Sequence, residues 1–444
     1  MATRKKDTPT AKKAVSTAAG ALALAAATAK RAYAQASGTI RVGLLGCGGR
    51  GTGALRQSLQ ADPGTVVIAV ADLFKDKATR ARDRFMKDGR LKGRADIPND
   101  NVFWGYDCHE KIARCDADLL VMATPPAFRG RQLLAAVKAG KHVFTEKPVA
   151  TDPAGCRLVI EAARIAKDKG LGIVAGTQRR HESGRVELMK RIHEGAIGEL
   201  VGGQCYWYGR GIWYRGASAE MTELDWQCHN WYHFTWLSGD QICEQHIHNI
   251  DVMNWCFNGP PKKFVAVGGR GTRDYSRQAR EVCKKFNKGS EKGWEKYNGD
   301  IWDHLFAELE YPNGARAISF SGHGPGSGRG GEKIVGTKGT SDCRSNISGE
   351  KPWQYKGRSR NPYVQEHIDL IKSVRAGKPL NEGKRVAEST LTAIGARIAA
   401  YTGRNITWDW LLNSSKLDLV PKQADLKPGP GFFNPIPTGG DKLV

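Results

Sequence analysis

The sequence predicts an α/β protein in two units: an N-terminal doubly wound parallel sheet, then an α/β unit whose sheet is mostly antiparallel. Three observations carry this. Short β-type runs alternate with helical stretches between Thr39 and Pro148, a glycine-rich turn joins the first run to the first helix, and beyond Val201 the texture changes to aromatic-rich, alternating segments. At 444 residues the chain is ample for two cores. Its 40% hydrophobic and 25% charged residues fit a soluble globular protein.

The first 36 residues read as an export signal rather than as structure. Arg4, Lys5, Lys6, Lys12 and Lys13 make a basic n-region, residues 15–29 a short Ala-rich apolar run, and Ala32-Tyr33-Ala34 an A-x-A cleavage site. The run is too short and Ala-rich to span a bilayer stably, so no membrane span is expected. Modest hydrophobicity and Lys30-Arg31 beside the cleavage site resemble a twin-arginine signal, although the n-region has no Arg-Arg pair. A periplasmic protein is therefore expected. Up to Ala34 there are seven Lys or Arg and one Asp, so the net charge of +23 falls to +17 for the remainder. That charge favours acidic glycans or an anionic wall. Nucleic acid is not expected, because no zinc-ligand spacing or recognition-helix pattern accompanies it.

Strands are predicted over 40–45, 66–71, 119–123, 142–145 and 172–175, with helices over 53–60, 75–86, 129–139 and 156–169. A helix over 185–193 opens the second unit. Strands follow over 203–208, 264–268, 305–311 and 315–320, and amphipathic helices over 365–375 and 385–401. The polar stretches 270–300 and 322–331 are expected to be mobile loops. The expected domains are 37–160 and 161–444, with the helices of 365–402 packing back near the junction. The ten cysteines are scattered without a C-x-x-C, and Cys47, Cys156, Cys243 and Cys256 read as small buried residues.

Gly46-Cys47-Gly48-Gly49-Arg50-Gly51 is a G-x-G-x-x-G directly after an apolar strand and before a helix. Such glycines permit a tight turn and let the backbone approach a pyrophosphate at a helix N-terminus. Asp72, 21 residues past Gly51, ends the second strand where an acid receives the adenosine ribose hydroxyls. This is the dinucleotide-binding arrangement of a Rossmann unit. Asp72 favours NAD, while Lys75 nearby softens the preference and leaves NADP open. Thr124-Pro125-Pro126 follows the fourth strand, and Glu146-Lys147-Pro148 the fifth.

The glycine loop, the E-K-P tripeptide and the segment Glu244-Gln245-His246-Ile247-His248-Asn249-Ile250-Asp251 together resemble the glucose–fructose oxidoreductase / inositol dehydrogenase / rhizopine-catabolism family, written Gfo/Idh/MocA. The resemblance runs from about Thr39 to Asp409. It implies a Rossmann domain followed by an α/β domain built on a large open sheet. It also implies that Lys147 bonds the reacting hydroxyl and that His248 takes its proton. An imidazole suits that task because its ordinary pKa lies near working pH. Glu244 stands where the family usually has Asp, and His246 where it often has Gly. With helical spacing Glu244 would share a face with His248 and orient it, or moderate Lys147.

Gln178 and Arg179 follow the sixth strand, a position that family members use near nicotinamide or substrate. The expected cofactor-binding residues are Gly46, Cys47, Gly48, Gly49, Arg50, Gly51, Asp72, Thr124, Pro125, Glu146, Lys147 and Gln178. Ten aromatics lie between Tyr206 and Trp236. Indole rings stack on sugar C–H faces, so Trp213 and Trp231 are expected in the substrate cleft, with Arg179, His229 and Asp251. A metal site among His229, His233, Glu244, His246 and His248 is not expected, because no H-E-x-x-H or cysteine pairing supports one.

The expectation is an NAD(P)-dependent oxidoreductase acting on a sugar, polyol or glycoside hydroxyl, as a homo-oligomer. Export would require a tightly bound cofactor, since no nicotinamide pool lies outside the cytoplasm. Two alternatives stay open: a redox-neutral glycoside-cleaving enzyme or epimerase, and a non-catalytic regulator. Retention of Lys147 and His248 argues against the last, since a pure binder needs no base.

Overall fold

A computed structural model of the chain describes residues 38–324, 326 and 328–440; the expected export signal lies outside them. The first sheet has six parallel strands: β1 (Ile40–Leu45), β2 (Thr65–Asp72), β3 (Val102–Trp104), β4 (Leu119–Met122), β5 (His142–Thr145) and β6 (Ile173–Ala175). Their order is β3-β2-β1-β4-β5-β6, the doubly wound arrangement, whose carboxyl edge carries the ligand crevice. Helices α1 (Gly49–Ala61), α2 (Lys75–Met86), α3 (Cys108–Arg114), α4 (Pro126–Lys138) and α5 (Pro153–Lys169) make the crossovers. Helix α4 starts three residues before the expected 129 because Pro126 opens it, where a missing N–H costs nothing. Helix α5 is capped by Asp152, whose carboxylate accepts from Gly155 N at 2.6 Å, and is ended by Gly170 at φ 62°.

The boundary expected at residue 160 falls inside α5, and the parallel sheet continues to Ala175. The first unit therefore extends some fifteen residues further than the sequence suggested, because β6 pairs with β5. After α6 (Ser183–His193) comes the second sheet of nine strands: β7 (Leu200–Gly209), β8 (Lys263–Gly269), β9 (His304–Glu310), β10 (Arg316–His323), β11 (Arg329–Gly336), β12 (Gly339–Ser341), β13 (Asn346–Gly349), β14 (Trp353–Gln354) and β15 (Ile406–Thr407). The order is β14-β13-β12-β11-β7-β10-β9-β8-β15, and among these pairs only β7 and β10 run parallel. Helices α7 (Glu223–His229), α8 (Gln241–Glu244), α9 (Ile247–Cys256), α10 (Ser276–Phe286), α11 (Pro362–Arg375) and α12 (Gly383–Thr402) complete the principal elements.

Each face of the parallel sheet has its own core. Val42, Leu44, Leu55 and Phe85 pack on one side with Leu370 and Ile371 of α11. Leu120, Leu133 and Val159 pack on the other with Val386 of α12. The C-terminal helices thus return to clasp the first unit. One face of the second sheet buries Ala307, Leu309 and Ala317 against Ile250 and Ile394. On the opposite face Val265, Val267 and Phe306 are exposed among the described residues.

Neither expected mobile loop is a plain loop. Stretch 270–300 contains α10, whose Ala279, Val282 and Cys283 are buried. Those apolar residues recur at helical spacing between Arg277, Arg280, Lys284 and Lys285, and the charges hid the stripe. Strands β10 and β11 both extend into 322–331.

Candidate active site

The glycine loop is shaped by what it must avoid. Gly46 has φ +96°, and a Cβ there would stand 2.7 Å from the carbonyl carbon of Ala123. A Cβ on Gly51 would stand 1.8 Å from the Gly46 carbonyl oxygen. Gly48 and Gly49 instead face open space, with nothing within 4 Å of such an atom. Gly48 is also the N-cap of α1 and offers no side chain, so the first N–H groups of the helix are left for a ligand. This cradle fits a pyrophosphate.

Asp72, at the end of β2, accepts from Cys47 N at 2.7 Å and from Phe74 N at 3.0 Å. It therefore holds the loop's shape and still has lone pairs for ribose hydroxyls. Burial pushes its carboxyl above the usual range, opposed by Lys77. Lys75, expected to soften cofactor preference, sits instead over the Trp104 ring at 4.6 Å, and the lysine lining the groove is Lys77, beside Arg50 and Arg215. The Cys47 thiol turns inward, 3.4 Å from the Ala71 carbonyl oxygen. Thr124 and Pro125 line the same groove, a cleft of about 370 Å³.

Glu146 does not face that groove. Its carboxylate is taken by the Arg50 guanidinium, which also reaches Gln57 at 2.8 Å and Glu366 at 3.6 Å. Glu146 therefore anchors the glycine-loop arginine from behind. Gln178 donates from Nε2 to the Tyr363 hydroxyl at 3.1 Å, and its Oε1 has no partner among the described residues. Tyr363 lies in turn beneath Arg50, at 5.2 Å.

Lys147, one strand beyond Thr124, meets the second unit. Its Nζ donates to the Glu244 carbonyl oxygen at 2.5 Å and lies 3.4 Å from Glu244 Oε1. Burial pushes the Glu244 carboxyl up, against the pull of Lys147 and Arg129. Its Oε2 has no hydrogen-bond partner among the described residues, and neither has Nδ1 of His248. Burial, with Lys147 and Arg179 as neighbouring positive charges, pushes His248 well below the usual histidine range, so it stands neutral and is a weaker base than the free imidazole expected from the sequence. The expected single helical turn from Glu244 to His248 is absent. Glu244 ends α8 and His248 lies in the first turn of α9, so the carboxylate orients Lys147 rather than the imidazole.

The five expected substrate residues are spread over three places: the glycine-loop groove, the junction and the neighbourhood of His248. Trp213 and Trp231 line the groove of the glycine loop and Asp72. His229 stands at that end too, its Nδ1 3.3 Å from Lys77 Nζ and its ring edge-on to Phe74. Asp251 is 1% exposed and fully engaged, by Arg180 at 2.8 Å, Arg385 at 3.2 Å and Ser389 at 2.7 Å. It locks the junction, and the positive charges hold its carboxyl well below the usual range against burial. Arg179 remains near His248 but is paired with Glu332 of β11, which Arg185 and Asn249 share. Glu332, Arg129, Tyr363 and Lys77 were missed, since none belongs to a local motif. Among the described residues no group of three or more His, Cys, Asp or Glu could hold a metal ion.

A Rossmann unit with a built pyrophosphate cradle, joined at its carboxyl edge to a second unit through a Lys–Glu contact, defines a nicotinamide-dependent oxidoreductase architecture. Residues 40–172 match the oxidoreductase family's NAD-binding Rossmann fold, and residues 186–342 match the Gfo/Idh/MocA C-terminal domain. The chain belongs to the Gfo/Idh/MocA family.

Among similar sequences, inositol 2-dehydrogenase/D-chiro-inositol 3-dehydrogenase of Shouchella clausii is 30% identical over 220 residues, covering 50% of this chain and 54% of that enzyme. Inositol 2-dehydrogenase of Acidothermus cellulolyticus is 27% identical over 232 residues, covering 52% and 58%. The chain thus spans about half the length of the curated relatives it matches. The fold also resembles scyllo-inositol dehydrogenase of Lactobacillus casei, solved with NAD(H) and scyllo-inositol, at TM-score 0.58 and 17% identity over 83% of this chain and 99% of that one.

Proposed function

We propose that the protein oxidises a secondary hydroxyl of a polyol or sugar with NAD, a cyclic polyol of the inositol type being the first candidate. The observation that carries this is Lys147 held on Glu244 while Glu244 Oε2 and His248 Nδ1 have no hydrogen-bond partner among the described residues. Buried polar atoms without partners are costly, and a polyhydroxylated ligand satisfies them. NAD, held by the residues 46–51 and by Asp72, supplies the hydride acceptor. Lys147 donates a hydrogen bond to the reacting oxygen and favours the developing alkoxide. Neutral His248 takes the hydroxyl proton. Glu244 keeps Lys147 in place and offers Oε2 to a neighbouring hydroxyl. The test is a panel of inositols, aldoses and glycosides added to protein with NAD and followed at the NADH absorbance. No reduction with any cyclic polyol would sink the substrate proposal.

The active form is, we propose, a homo-oligomer built on the exposed face of the second sheet. Val267, Phe306, Phe320 and Tyr206 are cross-strand neighbours on four strands, and Val267 is 65% exposed. Four residues along the same strands, beyond Val265, Glu308 and Ile318, stand Lys263, Glu310 and Arg316, whose mixed signs let a two-fold copy pair. Light scattering should give at least a dimer, with Val267→Lys shifting it toward monomer; a monomeric wild type would refute this. Among the described residues no helix is long and apolar enough to cross a membrane.

A further inference from the structure

The groove beside the glycine loop has walls from both units. Trp213, Arg215 and Trp231 of the second unit line it together with Gly48, Asp72 and Phe74 of the first. The Arg215 guanidinium lies 4.0 Å from the centre of the Trp213 ring, and Trp213 meets Trp231 edge to face at 6.1 Å. This segment is braced. Arg215 N donates to Asn230 Oδ1 at 2.8 Å, Asn230 Nδ2 returns a bond to the Arg215 carbonyl at 2.8 Å, and Trp226 Nε1 donates to that carbonyl at 3.0 Å.

The two walls also touch at the adenosine end, where Lys77 Nζ stands 3.3 Å from His229 Nδ1. Burial, then the charges of Lys77 and Arg215, push His229 down to about 4, so its ring is neutral and Nδ1 can accept from the lysine. Leu426 of the C-terminal stretch lines the groove as well. That stretch is tied down by Arg131, which donates to the Pro421 carbonyl at 2.5 Å, and by Gln423, which donates to the Tyr106 carbonyl at 3.2 Å.

We propose that Trp213, Arg215 and Trp231 roof the adenosine half of the bound dinucleotide, with Lys77 and His229 as a latch between the units, so that the cofactor is resident and leaves only when the roof lifts. The proposal rests on the reading of the groove as the dinucleotide site. Asp72 receives the ribose, so the purine beyond it falls among planar indole and guanidinium groups, which stack on any base face. A ligand enclosed between two units must wait for them to part, which slows release rather than capture.

The test uses the whole protein loaded with NADH and chased with excess NAD, following the fluorescence of bound NADH. Wild type should keep NADH through gel filtration. Arg215→Ala and Trp231→Ala should release it about 10-fold faster or more, the loss expected for one stacking partner. Lys77→Met should speed release too, and Arg215→Lys, which keeps charge but loses the plane, should follow Arg215→Ala. Arg215 and Lys77 side chains can be truncated without opening a core, so a misfolded Trp231 variant leaves the test standing. Release from Arg215→Ala and Lys77→Met at the wild-type rate would overturn the roof. A wild type that takes up no NADH would instead overturn the reading of the groove.

Discussion

Replacing Lys147 by Met is expected to lower hydride transfer about 10²–10⁴-fold, the usual cost of losing a positioned acid–base or hydrogen-bonding group, while cofactor binding stays nearly intact. Lys147 Nζ lies 2.5 Å from the Glu244 carbonyl oxygen, at the seam between units, and the pyrophosphate cradle is built by other residues. Met fills the space of the lysine stem, so loss of packing does not confuse the result. The readout is the absorbance change of bound cofactor when substrate is added, because it precedes product release. His248→Gln should fall by a similar factor, since Gln cannot take a proton. Glu244→Gln should be milder, because it keeps an acceptor for the Lys147 ammonium. Reduction of bound NAD by Lys147→Met at the wild-type rate would remove Lys147 from the mechanism.

A large effect away from the chemistry is expected at His367. It is fully buried on α11, its ring centroid 4.0 Å from that of Phe144 and both ring nitrogens without hydrogen-bond partners among the described residues. Burial, with Arg50 and His181 as neighbouring positive charges, pushes it down to about 3. The unfolded chain takes up a proton below about pH 6.5, whereas the folded chain does not until about pH 3. The stability His367 contributes is therefore present above pH 6.5 and lost as pH falls toward 3. His367→Phe removes the titration, so its stability relative to wild type should rise by about 2 kcal/mol between pH 7 and pH 4.5. Any offset from the larger ring is the same at both pH values. Urea denaturation of both proteins across that range measures the slope, and a difference that stays constant would refute the assignment.

His181 should show the opposite sign. Asp369 at 2.7 Å and Glu382 at 3.5 Å outweigh burial and raise it to about 9. Its contribution is full below pH 6.5 and fades as pH rises toward 9. Two buried histidines on neighbouring elements thus titrate in opposite directions, and the difference is whether a carboxylate is within reach.

The features legible in the sequence are those with a local cause. A turn that must take φ > 0 and avoid its own backbone demands glycine at Gly46 and Gly51, and β1 and α1 on either side follow from apolar periodicity. Asp72 was legible because the distance from loop to strand end is nearly constant in a βαβ unit. Lys147 was legible for the same reason, as the residue that leaves the sheet after β5.

Whatever depends on elements distant in the chain was decided only by the tertiary structure. Asp251, which sits in the same motif as His248, looked equally available in sequence. Packing of α12 brings Arg385 and Ser389 onto it, and no local pattern announces that. Glu146 was expected to face the cofactor, yet Arg50, 96 residues earlier, takes its carboxylate from behind the loop. The aromatics between Tyr206 and Trp236 marked a binding wall, but an indole ring suits a purine as well as a sugar face. Only the packing of the second unit beside the glycine loop placed Trp213 and Trp231 in one groove with Asp72. Sequence determines which chemical groups the chain carries and the local turns that point them; long-range packing determines which of them are already satisfied and which remain free to act.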